Sequence, residues 1–171
     1  MVHPFVDSWR ASGRRAYAFI LPVWGGFIVV AFLLMWPFRS VHLYASWFAW
    51  APAAIFFLVG FSIYCAGFQS FNRAQVSGLA ELEPDRHRQQ LITTGIRSRV
   101  RHPIYLGHLC EIIGWCLGTG LVALYALAVF AVVTGAVMIR MEDRELEARF
   151  GETFRAYRQR VPGVLPRVGK S

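Results

Sequence analysis

In "RVRHPIYLGHLCE", residues 99–111, a histidine and a carboxylate, His108 and Glu111, lie inside an otherwise apolar run, 103–120. A carboxylate near the interior of a bilayer costs several kcal/mol unless it is paired, solvated or protonated, so Glu111 must face a partner or a cavity. At helical spacing Tyr105, His108, Glu111 and Trp115 share one face. Two readings follow for His108 and Glu111: an interhelical hydrogen bond that holds a bundle together, or a wet site beside the polar head of a substrate.

A second set of polar residues stands at the ends of the apolar runs. Pro103 suits the first turn of a helix, where its missing N–H is no loss. That puts His102 at the cap and Tyr105 one turn inside. Arg99 and Arg101 nearby could hold a carboxylate or phosphate of a cofactor, or could touch lipid phosphates. Glu142 lies four residues before Leu146 and so points the way an apolar stripe points, with Arg140 and Asp143 beside it. Such a carboxylate needs a cationic or hydroxyl partner, and an arginine of 97–101 is one candidate. Glu145, with Arg149 four residues on, reads as a solvated surface pair.

These residues must be positioned by membrane helices. The chain has 171 residues, 56% hydrophobic and 16% charged, which is too much apolar surface for a soluble core of this size. Four runs approach the roughly 20 residues that a bilayer requires: 16–36, 47–68, 103–120 and 121–139. The first has no small-residue cleavage site after it and reads as a retained span. Only a Gly-Thr-Gly corner separates the last two, which predicts a tight hairpin. The tail 141–161 carries Leu146, Phe150, Phe154, Tyr157 and Val161 at steps of four and three, the stripe of an amphipathic C-terminal helix. The expected fold is all-α and polytopic, a single membrane domain over 1–171.

Charge sets the orientation. Net charge is +8, and the basic residues fall in three blocks: the N-terminal stretch, the loop 72–102 with six arginines, and the tail from Arg140 with seven arginines and one lysine. Both termini and the loop are therefore expected in the cytoplasm, with a multi-pass location in a bacterial inner membrane. Blocks of this kind suit anionic lipid headgroups, and without a continuous basic face nucleic acid is not an expected partner. Cys65, Cys110 and Cys116 have no CxxC spacing and no paired histidines, so they read as small core residues, and no metal site is indicated. No obligate protein partner is evident. The hairpin would bring His102–Tyr105 and Arg140–Glu142–Asp143 together in a pocket open to cytosol and to lipid.

"RHPIY" at 101–105, "ED" at 142–143, "L…FG" at 146–151, Tyr157 and "RVP…LP" at 160–166 resemble the signature of the isoprenylcysteine carboxyl methyltransferase family of membrane enzymes, with phospholipid N-methyltransferases sharing a related pattern. The resemblance covers about 85–167. It implies S-adenosylmethionine (SAM) as cofactor, met by Gln89, Gln90, Leu91 and Ile92, wrapped by His102, Pro103, Ile104 and Tyr105, and bound by Glu142. In the prenylcysteine enzymes an arginine precedes the equivalent of Glu142 by one turn; here Met138 stands there, Arg140 lies on another face, and Phe154 replaces a usual tyrosine. Losing a cation and gaining Glu111 argues against an anionic acceptor. The expectation is a lipophilic, neutral or cationic small molecule, an amine for example, with Glu111, His108 and Arg140 as candidate catalytic groups. Membrane sterol reductases also carry an "RHPxY-G" segment but bind NADPH, and a non-catalytic scaffold is the third alternative.

Overall fold

The structure is a computed structural model that describes residues 17–69 and 90–166. Five α-helices carry these residues: α1 (Tyr17–Met35), α2 (Trp50–Phe68), α3 (Pro103–Thr119), α4 (Val122–Phe150) and α5 (Glu152–Arg160). Short 3-10 turns lie at Trp36–Phe38, Trp47–Ala49 and Gly95–Ser98. Among the described residues there is no strand, only an isolated bridge between His42 and Leu121. The all-α class read from the sequence is the class observed.

Among the described residues, three helical stretches are long and apolar enough to cross a membrane: Leu21–Phe38, Trp47–Phe68 and Val122–Phe150. Their apolar side chains point outward, with Leu21, Leu58, Phe61 and Val129 each about two-thirds exposed. Such a surface belongs in lipid, and the chain is an integral membrane protein. The sequence led us to expect four spans, and α3 is the exception. It has 17 residues, a rise of about 26 Å against a hydrocarbon core of about 30 Å.

The boundary expected near 140 is also corrected. No helix begins at 141, because α4 continues unbroken for 29 residues to Phe150. Nothing between Ile139 and Glu147 resists a helix; the stretch is mostly Arg, Glu and Met, which favour one. The break falls at Gly151, whose φ of 53° is one that glycine adopts at little cost. The apolar stripe nevertheless assembles as its spacing requires. Phe154, Tyr157 and Val161 are buried in one cluster, with Leu146 and Phe150 packed against it.

The closest helix pair is α2 with α3, and its seam joins aromatic rings to glycines. Trp50, Phe57 and Tyr64, seven residues apart on α2, cover Gly118, Gly114 and Gly107 of α3. In the other direction Gly60 lies against the Gly107 carbonyl and Cys110. Lipid supplies no hydrophobic drive for helices to associate, so such close small-residue packing is what holds them. At the far end of α3, Gly120 has φ 62° and would place a Cβ 2.3 Å from the Tyr44 carbonyl oxygen. The 36–49 connection is strapped to this corner. The Leu43 N–H donates to Gly120 O at 2.8 Å, and the Val122 N–H donates to Val41 O at 3.0 Å. Beyond the corner α4 turns back, so that Gly135 comes to the ring of Tyr105. α1 touches α4 through Phe27 and Phe130, whose rings stack at 6.0 Å.

A side chain at Gly114 would collide with the Phe57 ring, 2.9 Å from the added Cβ. That ring cannot retreat, because Trp115 meets it edge-on at 5.3 Å. Gly114→Val should therefore destabilise the protein by about 1–3 kcal/mol, the usual scale of overpacking. Its thermal midpoint in detergent should fall well below that of the wild type, and an unchanged midpoint would show that the seam is loose.

Candidate functional site

The C-terminal ends of α2 and α4 and the start of α3 converge with α5 and the segment after it. His102 caps α3 and Pro103 occupies its first turn. The backbone N–H groups of Arg101 and His102 donate to Pro162 O at 2.9 Å and Gly163 O at 2.8 Å. The "VPG" after α5 is thus the clasp that holds "RH" in place. Arg97 lies one turn earlier, and its guanidinium donates to Gly67 O at 2.9 Å, capping the end of α2. The Tyr157 hydroxyl donates to Arg97 O at 2.6 Å, and burial pushes that hydroxyl up to about 12, so it stays protonated as a donor.

Within this frame lies a charged core. Asp143 Oδ1 accepts from the Arg101 guanidinium at 2.6 Å and sits 2.8 Å from His102 Nε2. The other ring nitrogen, Nδ1, lies 3.4 Å from Glu142 Oε2. Arg101 also donates from Nε to Val161 O at 3.0 Å, so one guanidinium ties α4 to the clasp. His102 is only 4% exposed. Burial, the largest influence, favours the neutral ring, but the two carboxylates outweigh it, Asp143 first, and raise the group from 6.5 to about 8. The ring of Tyr105 meets that of His102 edge-on at 5.9 Å.

Glu142 Oε2 is buried and lacks a hydrogen bond among the described residues, its approach to His102 being an ion-pair contact rather than an aligned bond. A buried acceptor left without a donor is costly, and the arrangement suits a ligand that brings an N–H or O–H.

The sequence-derived candidates divide into groups. His102, Tyr105 and Glu142 come together with Asp143 and Arg101. Pro103 is fully buried and Ile104 half-buried, both near Gly67 of α2. Gln89 lies outside the described residues; Gln90 is exposed, Leu91 packs on the Phe154 cluster and Ile92 is half-buried. Arg140 is exposed on α4. Glu111 lies about 12 Å along α3 from Pro103, at 1.5 Å per residue, and turns to α2, where Tyr64 donates to it at 3.2 Å. His108 is hydrogen-bonded to the same hydroxyl. The face on which Tyr105, His108 and Glu111 were grouped is therefore split: Tyr105 meets α4, and the other two meet Tyr64.

Two partners were not legible beforehand. An arginine of 97–101 is one candidate partner for Glu142 in the sequence; Arg101 takes Asp143, and Glu142 lies against His102 with the Arg97 charge also acting on it. Tyr64 gave no signal, being one aromatic among many in an apolar run.

The phospholipid methyltransferase family model matches residues 48–153, which include all of α2, α3 and α4. The chain belongs to the phospholipid methyltransferase family. It is 31% identical over 160 residues to methanethiol S-methyltransferase 2 of Bradyrhizobium diazoefficiens, covering 94% of this chain and 50% of that protein. A methanethiol S-methyltransferase of Crocosphaera subtropica is 32% identical over 78 residues, 46% of this chain and 30% of the relative. The cobalt-zinc-cadmium resistance protein CzcN of Cupriavidus metallidurans is 41% identical over 86 residues, 48% of this chain and 38% of the relative. The chain thus spans half the length, or less, of these curated relatives. No solved structure matches it. Within the matched region of this phospholipid methyltransferase family member lie His102, Glu142 and Asp143, the charged core described above.

The electrostatics give a pH test. The folded His102 holds its proton more tightly than the unfolded one, about 8 against 6.5. Its stabilising contribution is complete below about pH 6.5 and is lost as pH rises through about 8. The thermal midpoint of the wild type should fall across that window by more than that of His102→Gln. Parallel profiles for the two proteins would mean that His102 is not charged in the fold.

Proposed function

We propose that this chain transfers a methyl group from SAM to a small lipophilic thiol or amine that enters from the bilayer. The observation that carries the reading is the buried Glu142 Oε2 beside His102, which has no hydrogen bond among the described residues. The family and the names of the methanethiol methyltransferases support it, and those names favour a neutral sulfur acceptor.

SAM would supply an electrophilic methyl group on a cationic sulfur. The residues of the chain have the remaining work. Glu142 would accept a hydrogen bond from the cofactor's hydroxyl or ammonium groups. Glu142 and Asp143 favour a cation near the cluster, while, despite its burial, His102 and Arg101 hold the Asp143 carboxyl below its ordinary range and keep it in place. His102, Pro103, Ile104 and Tyr105 would form one wall, and the stretch 89–92 another. In-line methyl transfer needs alignment and exclusion of water more than it needs acid or base, and a closely packed wall serves both. Met138, in place of the arginine seen in prenylcysteine enzymes, leaves the acceptor side without a cation on that turn. Glu111 and His108 would face the acceptor, with Arg140 at the cytosolic rim. The reading also has α3 completing a four-span bundle, a tight hairpin of α3 and α4, and both termini and the cofactor site on the cytoplasmic side of a bacterial inner membrane. The distribution of arginine supports that orientation.

Binding of labelled SAM and of NADPH to the detergent-purified protein tests the assignment. SAM should bind and NADPH should not. Glu142→Ala should weaken SAM by about 10- to 100-fold, the scale of a hydrogen bond to a charged group. Binding of NADPH alone would favour a reductase, and binding of neither would leave a scaffold.

A further inference from the structure

The polar groups of α3 outside the cytosolic cluster are joined to one another. The Tyr64 hydroxyl of α2 is hydrogen-bonded to His108 Nδ1 and donates to Glu111 Oε2 at 3.2 Å. Its ring is held on two sides. It lies on Gly107, where an added Cβ would be 3.0 Å away, and it stacks on Phe68 at 6.3 Å. His108 meets it edge-on at 5.3 Å. His108 is exposed on the outer face of the bundle, while Glu111 is half-buried against Gly60. The hydroxyl has one proton and two possible acceptors, the Glu111 carboxylate and, in the tautomer protonated at Nε2, His108 Nδ1.

These three groups lie between the bilayer interior and the cytosolic site. At 1.5 Å per residue, His108 is about 8 Å and Glu111 about 12 Å along α3 from Pro103. Tyr105, one turn before His108, is its neighbour on the helix surface and packs on His102. Cys110 of α3 is a further titratable group at the Gly60 contact. From α4, Tyr125 pairs instead with Tyr44 near the Gly120 corner. The Glu111 carboxylate, one oxygen of which takes the Tyr64 hydroxyl, is placed to accept a second donor and to pass a proton on through that hydroxyl.

We propose that Glu111 receives the proton that a thiol acceptor loses on methylation, and that Tyr64 passes it to His108. The proposal rests on the methyl-transfer reading above. The acceptor sulfur forms its bond to the methyl carbon, and the methyl–sulfonium bond breaks with its electron pair left on the donor sulfur. The S–H proton goes to the Glu111 carboxylate. Glu111 then donates to the Tyr64 oxygen as Tyr64 donates its own proton to His108 Nδ1, which restores the carboxylate and leaves an imidazolium at the exposed end. Tyr64 is a positioning residue, because it acts through Glu111 and His108.

The test uses the full chain in lipid nanodiscs with labelled SAM and two probes, butanethiol and the more acidic thiophenol. Butanethiol must lose a proton during transfer, whereas thiophenol is largely ionised beforehand. Tyr64→Phe keeps the ring on Gly107, and His108→Gln changes an exposed position, so neither disturbs the seam. Both, and Glu111→Gln, should slow methylation of butanethiol at least about tenfold, the lower range for proton-transfer catalysis. Thiophenol should be affected less than about threefold, SAM binding should be unchanged, and the butanethiol defect should shrink as pH rises. An unchanged butanethiol rate, or equal losses with both thiols, would overturn the relay. Failure of the wild type to bind SAM would instead overturn the methyl-transfer reading.

Discussion

The Asp143 carboxylate, buried between Arg101 and His102, is the interaction on which the polar end of this helix bundle depends. It joins the start of α3 to the extension of α4, and through Arg101 it also joins both to the carbonyl of Val161. Removing one partner of such a group leaves an uncompensated buried charge, which is far more costly than the pair is stabilising. The neighbouring Glu142 inherits its position from this pairing. It sits one residue along the same helix, its Oε2 close enough to His102 to help keep the imidazole charged yet without a hydrogen bond among the described residues.

The position of that oxygen also depends on distant packing. α3 is short for a span and carries a histidine and a carboxylate, so its own hydrophobicity holds it poorly in lipid. The glycine seam with α2 compensates. Each ring of Trp50, Phe57 and Tyr64 lies where α3 has no side chain, bringing the two backbones close enough for dispersion to hold them. One of those rings carries a hydroxyl, and the same contact that packs the helices also satisfies Glu111 and His108. The alternatives that the sequence left open for these residues, structural bond or wet site, are thus not exclusive in this geometry.

Much of the site was legible because its residues are either costly or conformationally restricted. Glu142 at the head of an apolar stripe and Pro103 at a helix start each predict a location, and both are where they were expected. The stripe Leu146–Phe150–Phe154–Tyr157–Val161 was legible for the same reason, since its period survives even though Gly151 divides the helix that carries it. The errors concern how elements end and pair. The continuity of α4 past 140 depends on helix propensity against a change in polarity, and propensity prevails because the charged residues there are good helix formers. The partners of Arg101 were missed because Glu142 and Asp143 are adjacent and differ only in the direction they face.

Composition, spacing and charge alone determined that this is a helical membrane protein and that His102 and Pro103 stand at a helix start, while the methyltransferase-like signature was read by resemblance to a known family. Those properties are one-dimensional: hydrophobic length, helical period and the unequal placement of arginine can all be counted along the chain. Tertiary structure alone decided that Asp143 takes Arg101 while Glu142 keeps an unbonded oxygen, that "VPG" holds "RH", and that Tyr64 closes on His108 and Glu111. Each of these joins residues about 40 to 60 positions apart. Such pairings depend on how helices rotate against one another, and a glycine under an aromatic ring sets that rotation in a way that no local pattern records.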